Sequence, residues 1–167
     1  MKGRTVLFAD DREIQIAQLA GRIGQLALAN RVRVAVAESL TAGRIAQALG
    51  AAQESATWFA GGVVAYQRET QYRLLGVSRG PVISAECSEQ MARGVLDTVG
   101  ADVSVSVTGV GGPGPEEGER SGTVFISVSS HCGVRTVRNQ FPGSQSEVLG
   151  LTTVHALRHL KNLLLES

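Results

Sequence analysis

The sequence predicts an α/β fold: a single three-layer α/β/α domain built on a mixed sheet. Three observations predict it. Segments with helical spacing alternate with segments of period two. Late in the chain two strand-like segments follow one another directly, so the sheet is mixed. At 167 residues the chain has the length of one domain, and such a chain buries roughly 70% of the surface its unfolded form exposes, enough for a core without disulfide or metal staples.

Each element has its own signal. After the acidic pair Asp10-Asp11, residues Ile16, Leu19, Ala20, Ile23 and Leu26 recur at helical spacing over 11–29. Residues 1–30 are therefore read as an N-terminal helical extension packed on the domain, and 31–167 as the domain proper. Val32, Val34 and Val36 alternate with Ala35 and Ala37, a strand over 32–37. Helical spacing resumes over 41–49, so Glu38-Ser39-Leu40-Thr41 falls at a strand-to-helix junction. Residues 58–66 read as a strand entered through Gly61-Gly62, and 69–75 as a short helix closed by Gly76. In a helix over 84–99, Cys87, Met91 and Val95 stand four apart. Ser84 with Cys87 lacks a capping box, although Glu86 suits the positive end of that helix. Val103, Val105 and Val107 alternate with Ser104 and Ser106, the clearest strand in the chain. Glycine and proline dominate 109–122, a long loop of the kind that carries function or mobility. Strands over 123–129 and 134–139 flank the turn Ser130-His131-Cys132-Gly133. Leu151, Val154, Leu157, Leu160 and Leu164 mark a closing helix over 144–165.

Composition narrows the class. With 43% hydrophobic and 19% charged residues the chain is globular. A net charge of +1 offers no broad positive field for nucleic acid, and basic residues do not cluster with aromatics. No run approaches the ~20 apolar residues of a membrane span, and the N-terminus lacks a signal-peptide core. Cys87 and Cys132 lie far apart and read as free thiols of a reducing cytoplasm. His155 and His159 are four apart on a helix but have no third ligand, so no metal site is expected. The expectation is a soluble cytoplasmic domain that takes neither nucleic acid nor membrane as a partner.

Three segments are able to carry chemistry. Glu38-Ser39-Leu40-Thr41-Ala42-Gly43 places a serine at a tight strand-to-helix turn, where helix amides attract developing negative charge. That position suits a nucleophile or an anion; it equally suits Ser39 or Thr41 as a plain helix cap. Thr108-Gly109-Val110-Gly111-Gly112-Pro113-Gly114 follows a strand directly, so its amides approach a phosphate or carboxylate closely. Its alternative is a turn-rich loop with Glu116, Glu117 and Glu119 at a solvated tip. The third segment, Ala60 to Tyr66, brings a phenol to a strand end, where it serves a site or anchors the core with its hydroxyl at the rim.

Taken together, Ala37 to Gly43, Phe59 to Tyr66, Leu74-Leu75-Gly76-Val77, Val107 to Pro113 and Ser121-Gly122-Thr123-Val124 resemble the CinA C-terminal domain family, the nicotinamide-mononucleotide amidohydrolases. Each block is weak alone; five in register over 33–164 are specific. The resemblance implies an α/β/α homodimer that hydrolyses the carboxamide of nicotinamide mononucleotide to nicotinic acid mononucleotide and ammonia, in pyridine-nucleotide salvage, with no metal or organic cofactor. It places the family's serine nucleophile on Ser39 and makes Thr108 to Pro113 part of the pocket for the oxyanion or the phosphate. The implied site is Ser39, Gln71 and Tyr66 at the chemistry, with Glu38, Thr41, Gly61, Gly62, Thr108, Gly109, Gly111 and Gly112 around the substrate. Such a reaction needs an activated hydroxyl, donors for the oxyanion and a cradle for the phosphate.

The departures matter more than the matches. The family lysine that completes a Ser-Lys dyad is Gln71 here, and glutamine does not take a proton from serine at neutral pH. Lysine occurs only at Lys2 and Lys161, neither placed to substitute, and Arg68 and Arg73 do not deprotonate. The family's Phe-x-Gly-Asp-Arg reads Phe141-Pro142-Gly143-Ser144-Gln145, and a second arginine reads Leu149. Ala42 stands for a glycine and Leu40 for a cysteine. Two functions follow: a slow deamidase in which Tyr66, Glu38 or a histidine replaces the lysine, or a non-catalytic or regulatory nucleotide-binding paralogue.

Overall fold

All five residues of β1 (Val34–Glu38) are buried, which places this strand inside the sheet with cover on both faces. The computed structural model describes residues 10–167. Around β1 the chain forms α1 (Asp11–Asn30), α2 (Arg44–Gly50), α3 (Ser55–Trp58), β2 (Phe59–Val64), α4 (Arg68–Leu75), α5 (Ala85–Val99), β3 (Val103–Gly109), β4 (Thr123–Ser130), β5 (Gly133–Gln140) and α6 (Gln145–Leu165). The five strands lie in the order β2-β1-β3-β4-β5; the β2-β1 and β1-β3 pairs are parallel and the β3-β4 and β4-β5 pairs antiparallel. This is the mixed sheet that the sequence predicts.

Period-two alternation sorts side chains to opposite faces. Val34 and Val36, with Val103, Val105 and Val107, join the core beneath α1, α2 and α6. Ala35 and Ala37 face the other way, onto Leu75, Cys87, Met91 and Val95 of α4 and α5. The fold is therefore α/β/α in three layers. Ser104 and Ser106 also face α5 and are fully buried there; their hydroxyls donate to the Ala92 and Ser88 carbonyls at 2.7 and 2.6 Å, which satisfies polar groups that would otherwise be costly to bury. Helix α1, read as an extension, contributes Ile16, Ala20, Ile23 and Ala27 to the same core as the sheet.

Two elements differ from the sequence reading. The strand expected over 58–66 starts one residue later, because Ser55–Trp58 closes into α3. The Trp58 indole packs against Gly24 of α1 and donates to the Gln53 carbonyl at 3.1 Å, a contact that no local pattern encodes. The helix expected from Thr41 begins at Arg44, for a reason that belongs to the site.

Two histidines of α6 are expected to make the fold sensitive to acid. Burial lowers the proton affinity of His155, helped by Arg158 and His159; burial followed by Arg135 does the same to His159. Their pKa values in the folded protein lie below the ordinary imidazole value, so the unfolded chain takes up protons first. Stability is expected to hold above about pH 6.5 and to fall as pH drops through that value. The denaturation midpoint should therefore decrease from pH 7 to pH 5, and the double variant His155→Gln/His159→Gln should flatten the dependence. An unchanged pH profile in that variant would refute the assignment.

Candidate functional site

The register of the parallel strands determines where chemistry is possible. Glu38 at the end of β1 pairs with Val64 of β2 and Val107 of β3, so the following residues Ser39, Ala65 and Thr108 emerge level with one another. From β1 the chain moves outward to β2 and then returns across β1 to β3. That reversal opens a crevice at the carboxyl ends of the strands, the usual ligand position in such sheets. A cleft of about 380 Å³ lies there. Its walls come from the turn after β1 (Ser39, Leu40), from Tyr66, from Arg68 and Gln71 of α4, from Val82 and Ile83, from the loop Thr108–Glu116 and from Gln145.

Ser39 and Gln71 meet across this cleft. Gln71 is 1% exposed, and its Nε2 donates to Ser39 Oγ at 3.3 Å and to the Ala65 carbonyl at 3.0 Å. The Cys87 thiol donates to Gln71 Oε1 at 3.7 Å. The carbonyl of Ala65 determines the orientation of the amide: reversing it would set two acceptor oxygens against each other. The serine oxygen therefore accepts a hydrogen bond from the Gln71 amide. Burial first, then Glu117 and Glu86, push the Cys87 thiol up to about 12, so it stays protonated at neutral pH.

Glu38 has a different role from the one expected. It is fully buried, and its carboxylate accepts from Thr41 Oγ1 at 2.6 Å and from the amides of Gly43, Ile45 and Ala46 at 3.0, 3.2 and 2.6 Å. The start of α2 is thus occupied by a carboxylate of the preceding strand. Neither Ser39 nor Thr41 caps the helix; Gly43 holds the N-cap position without a side-chain bond. The helix amides expected beneath the serine are engaged, so they do not serve an oxyanion. Glu38 and Thr41 do not line the cleft; they hold the turn that presents Ser39. Ala42 adopts φ 50° in that turn, a left-handed conformation that costs a non-glycine residue about 1–2 kcal/mol.

The other candidates divide. Thr108, Gly109, Gly111 and Gly112 line the cleft, with the Thr108 hydroxyl donating to the Val82 carbonyl at 2.7 Å. Tyr66 stands at the rim, 62% exposed. Gly61 and Gly62 do not line the cleft: a Cβ at Gly62 would lie 2.2 Å from the Val36 carbonyl oxygen, so this glycine allows β2 to approach β1. Lys161 lies late in α6 away from the cleft, and Lys2 lies outside the described residues. The three histidines stand elsewhere. Among the described residues no group of three or more His, Cys, Asp or Glu is placed to hold a metal ion, and no helix is long and apolar enough to cross a membrane.

At the loop tip Glu116 is exposed, as the solvated alternative has it, but Glu117 is not. Glu117, at φ 52° ahead of Gly118, turns back toward the protein. The amides of Val82 and Ile83 donate to its Oε2 at 2.9 and 2.8 Å. Its Oε1 lies 2.6 Å from the Arg68 guanidinium, a charge contact without hydrogen-bond alignment. This latch joins residues about 35 positions apart in the chain, and no sequence signal pairs them.

The fold and site define a class of protein: an α/β/α domain with a serine at the end of a central parallel strand facing a side chain of the helix after the next strand. The comparisons make the class definite. The CinA C-terminal domain profile matches residues 16–164, and the chain belongs to that family. Protein YdeJ of Escherichia coli (strain K12) is 33% identical, over 90% of this chain and 91% of its own length. A CinA-like protein of Desulfotalea psychrophila is 37% identical over 86% of this chain, which spans 36% of that relative's length. Crystal structures of CinA superfamily proteins from Klebsiella pneumoniae and Escherichia coli superpose with TM-scores of 0.87 and 0.86 at 28% and 31% identity. They cover 91% and 97% of this chain, which spans 99% and 95% of theirs.

Proposed function

We propose that this chain is a ligand-binding member of its family in which hydrolysis of a nicotinamide-nucleotide carboxamide is strongly suppressed. One observation carries the reading: the Ser39 oxygen accepts a hydrogen bond from Gln71. A general base must accept the hydroxyl proton, and losing a positioned base costs about 10²- to 10⁴-fold in rate. The occupied start of α2 acts in the same direction, because its amides are bound to Glu38 and offer nothing to a developing oxyanion. The cleft itself supports retained binding, with Ser39, Gln71 and the glycine-rich loop all on its wall. A homodimer and a cytoplasmic location are part of the same proposal.

The test is ammonia release from saturating nicotinamide mononucleotide. Wild type and Ser39→Ala should be indistinguishable. The same ligand at 100 times its dissociation constant should stabilise the wild-type fold by about 2.7 kcal/mol. A wild-type rate tenfold or more above Ser39→Ala would restore the enzyme reading. Absent stabilisation would remove the mononucleotide as the ligand.

A further inference from the structure

We propose that the cleft takes the phosphate-free form of its ligand, a nucleoside carboxamide rather than its phosphate monoester. This inference rests on the ligand-binding reading above and specifies its substrate class. Arg68 and the α2 amides beside the cleft are already matched by carboxylates of the chain itself. Glu38 occupies the first amides of α2. Glu117 occupies the Val82 and Ile83 amides and pairs with Arg68, the one cation on the cleft wall among the described residues. Glu147 accepts from the Ser144 amide at 2.7 Å in the capping box of α6. That bond with the Ser144 backbone holds the Glu147 carboxyl below its usual range, so it stays ionised at neutral pH.

A further carboxylate, Glu116, lines the wall directly. Beside the loop, Gly111 faces Gln145 and Leu149, which carry no charge. The remaining groups are dipoles: the hydroxyls of Ser39 and Tyr66, the Gln145 amide and the backbone of the glycine loop. Dipoles hydrogen-bond ribose hydroxyls and a carboxamide, and the carboxylates suit the pyridinium cation that nucleoside and nucleotide share. A phosphate dianion would have the loop amides alone, with no free cationic side chain on the cleft wall among the described residues, against the desolvation cost beside carboxylates. A nucleoside satisfies this surface; its phosphate adds repulsion.

Calorimetric titration of the intact chain with nicotinamide riboside and with nicotinamide mononucleotide, at low ionic strength where charge effects are least screened, tests this. The riboside is expected to bind as tightly as the mononucleotide or more tightly. Gln145→Arg, at an exposed position, should shift the ratio toward the mononucleotide by about tenfold, as one charge-assisted contact would. A wild-type preference for the mononucleotide of about fivefold or more, small beside even one free ion-pair contact, would overturn the inference and leave the ligand-binding reading intact. An unchanged ratio in Gln145→Arg would also overturn it. Failure of both compounds to bind would defeat the two together.

Discussion

Gln71→Lys is expected to raise ammonia release from nicotinamide mononucleotide by at least about tenfold, toward the 10²- to 10⁴-fold that a positioned base contributes. The geometry is already in place: the Gln71 amide nitrogen sits 3.3 Å from Ser39 Oγ in a position 1% exposed. A lysine amine there would be desolvated, which favours its neutral, proton-accepting form. The neighbouring Cys87, its thiol pushed up to about 12, is uncharged at neutral pH and offers no thiolate to hold the lysine protonated. The gain should appear in kcat with a rising limb in the pH profile, and Ser39→Ala added to Gln71→Lys should abolish it. The occupied α2 amides keep the expected gain near the lower end of the range. A folded Gln71→Lys protein with unchanged turnover would show that the missing base is not what limits the reaction.

The largest stability loss is expected from Glu38→Ala. This carboxylate accepts four hydrogen bonds inside the protein, from one hydroxyl and three amides. Removing it leaves these donors buried without a partner, each costing about 1–3 kcal/mol before relaxation. A total of about 3–5 kcal/mol is a large fraction of a typical domain's stability, and urea denaturation should detect it directly. Glu38→Gln, which retains one acceptor oxygen, should lose less. A loss below about 1 kcal/mol for Glu38→Ala would mean that the turn presenting Ser39 is organised by something else. The same logic makes Glu38 a poor base for Ser39: its lone pairs are already engaged.

Local periodicity was enough to order the elements and to separate their faces. Val103, Val105 and Val107 alternate with Ser104 and Ser106 because a strand repeats every two residues, and that arithmetic alone assigns them to the two cores. The motif blocks likewise located Ser39, Gln71 and the loop after Thr108, since strand ends and tight turns leave signatures in adjacent residues. The bond between Ser39 and Gln71, the carboxylate of Glu38 beneath α2, the Glu117 latch on Val82 and Ile83, and the turn that Trp58 imposes were decided only in three dimensions. The Ser39–Gln71 bond and the Glu117 latch join groups 32 and about 35 positions apart, whereas Glu38 and Trp58 bond residues within eight positions, in turns whose shape no periodicity records. A hydrogen bond forms between neighbours in space, and the sequence records neighbours only along the chain.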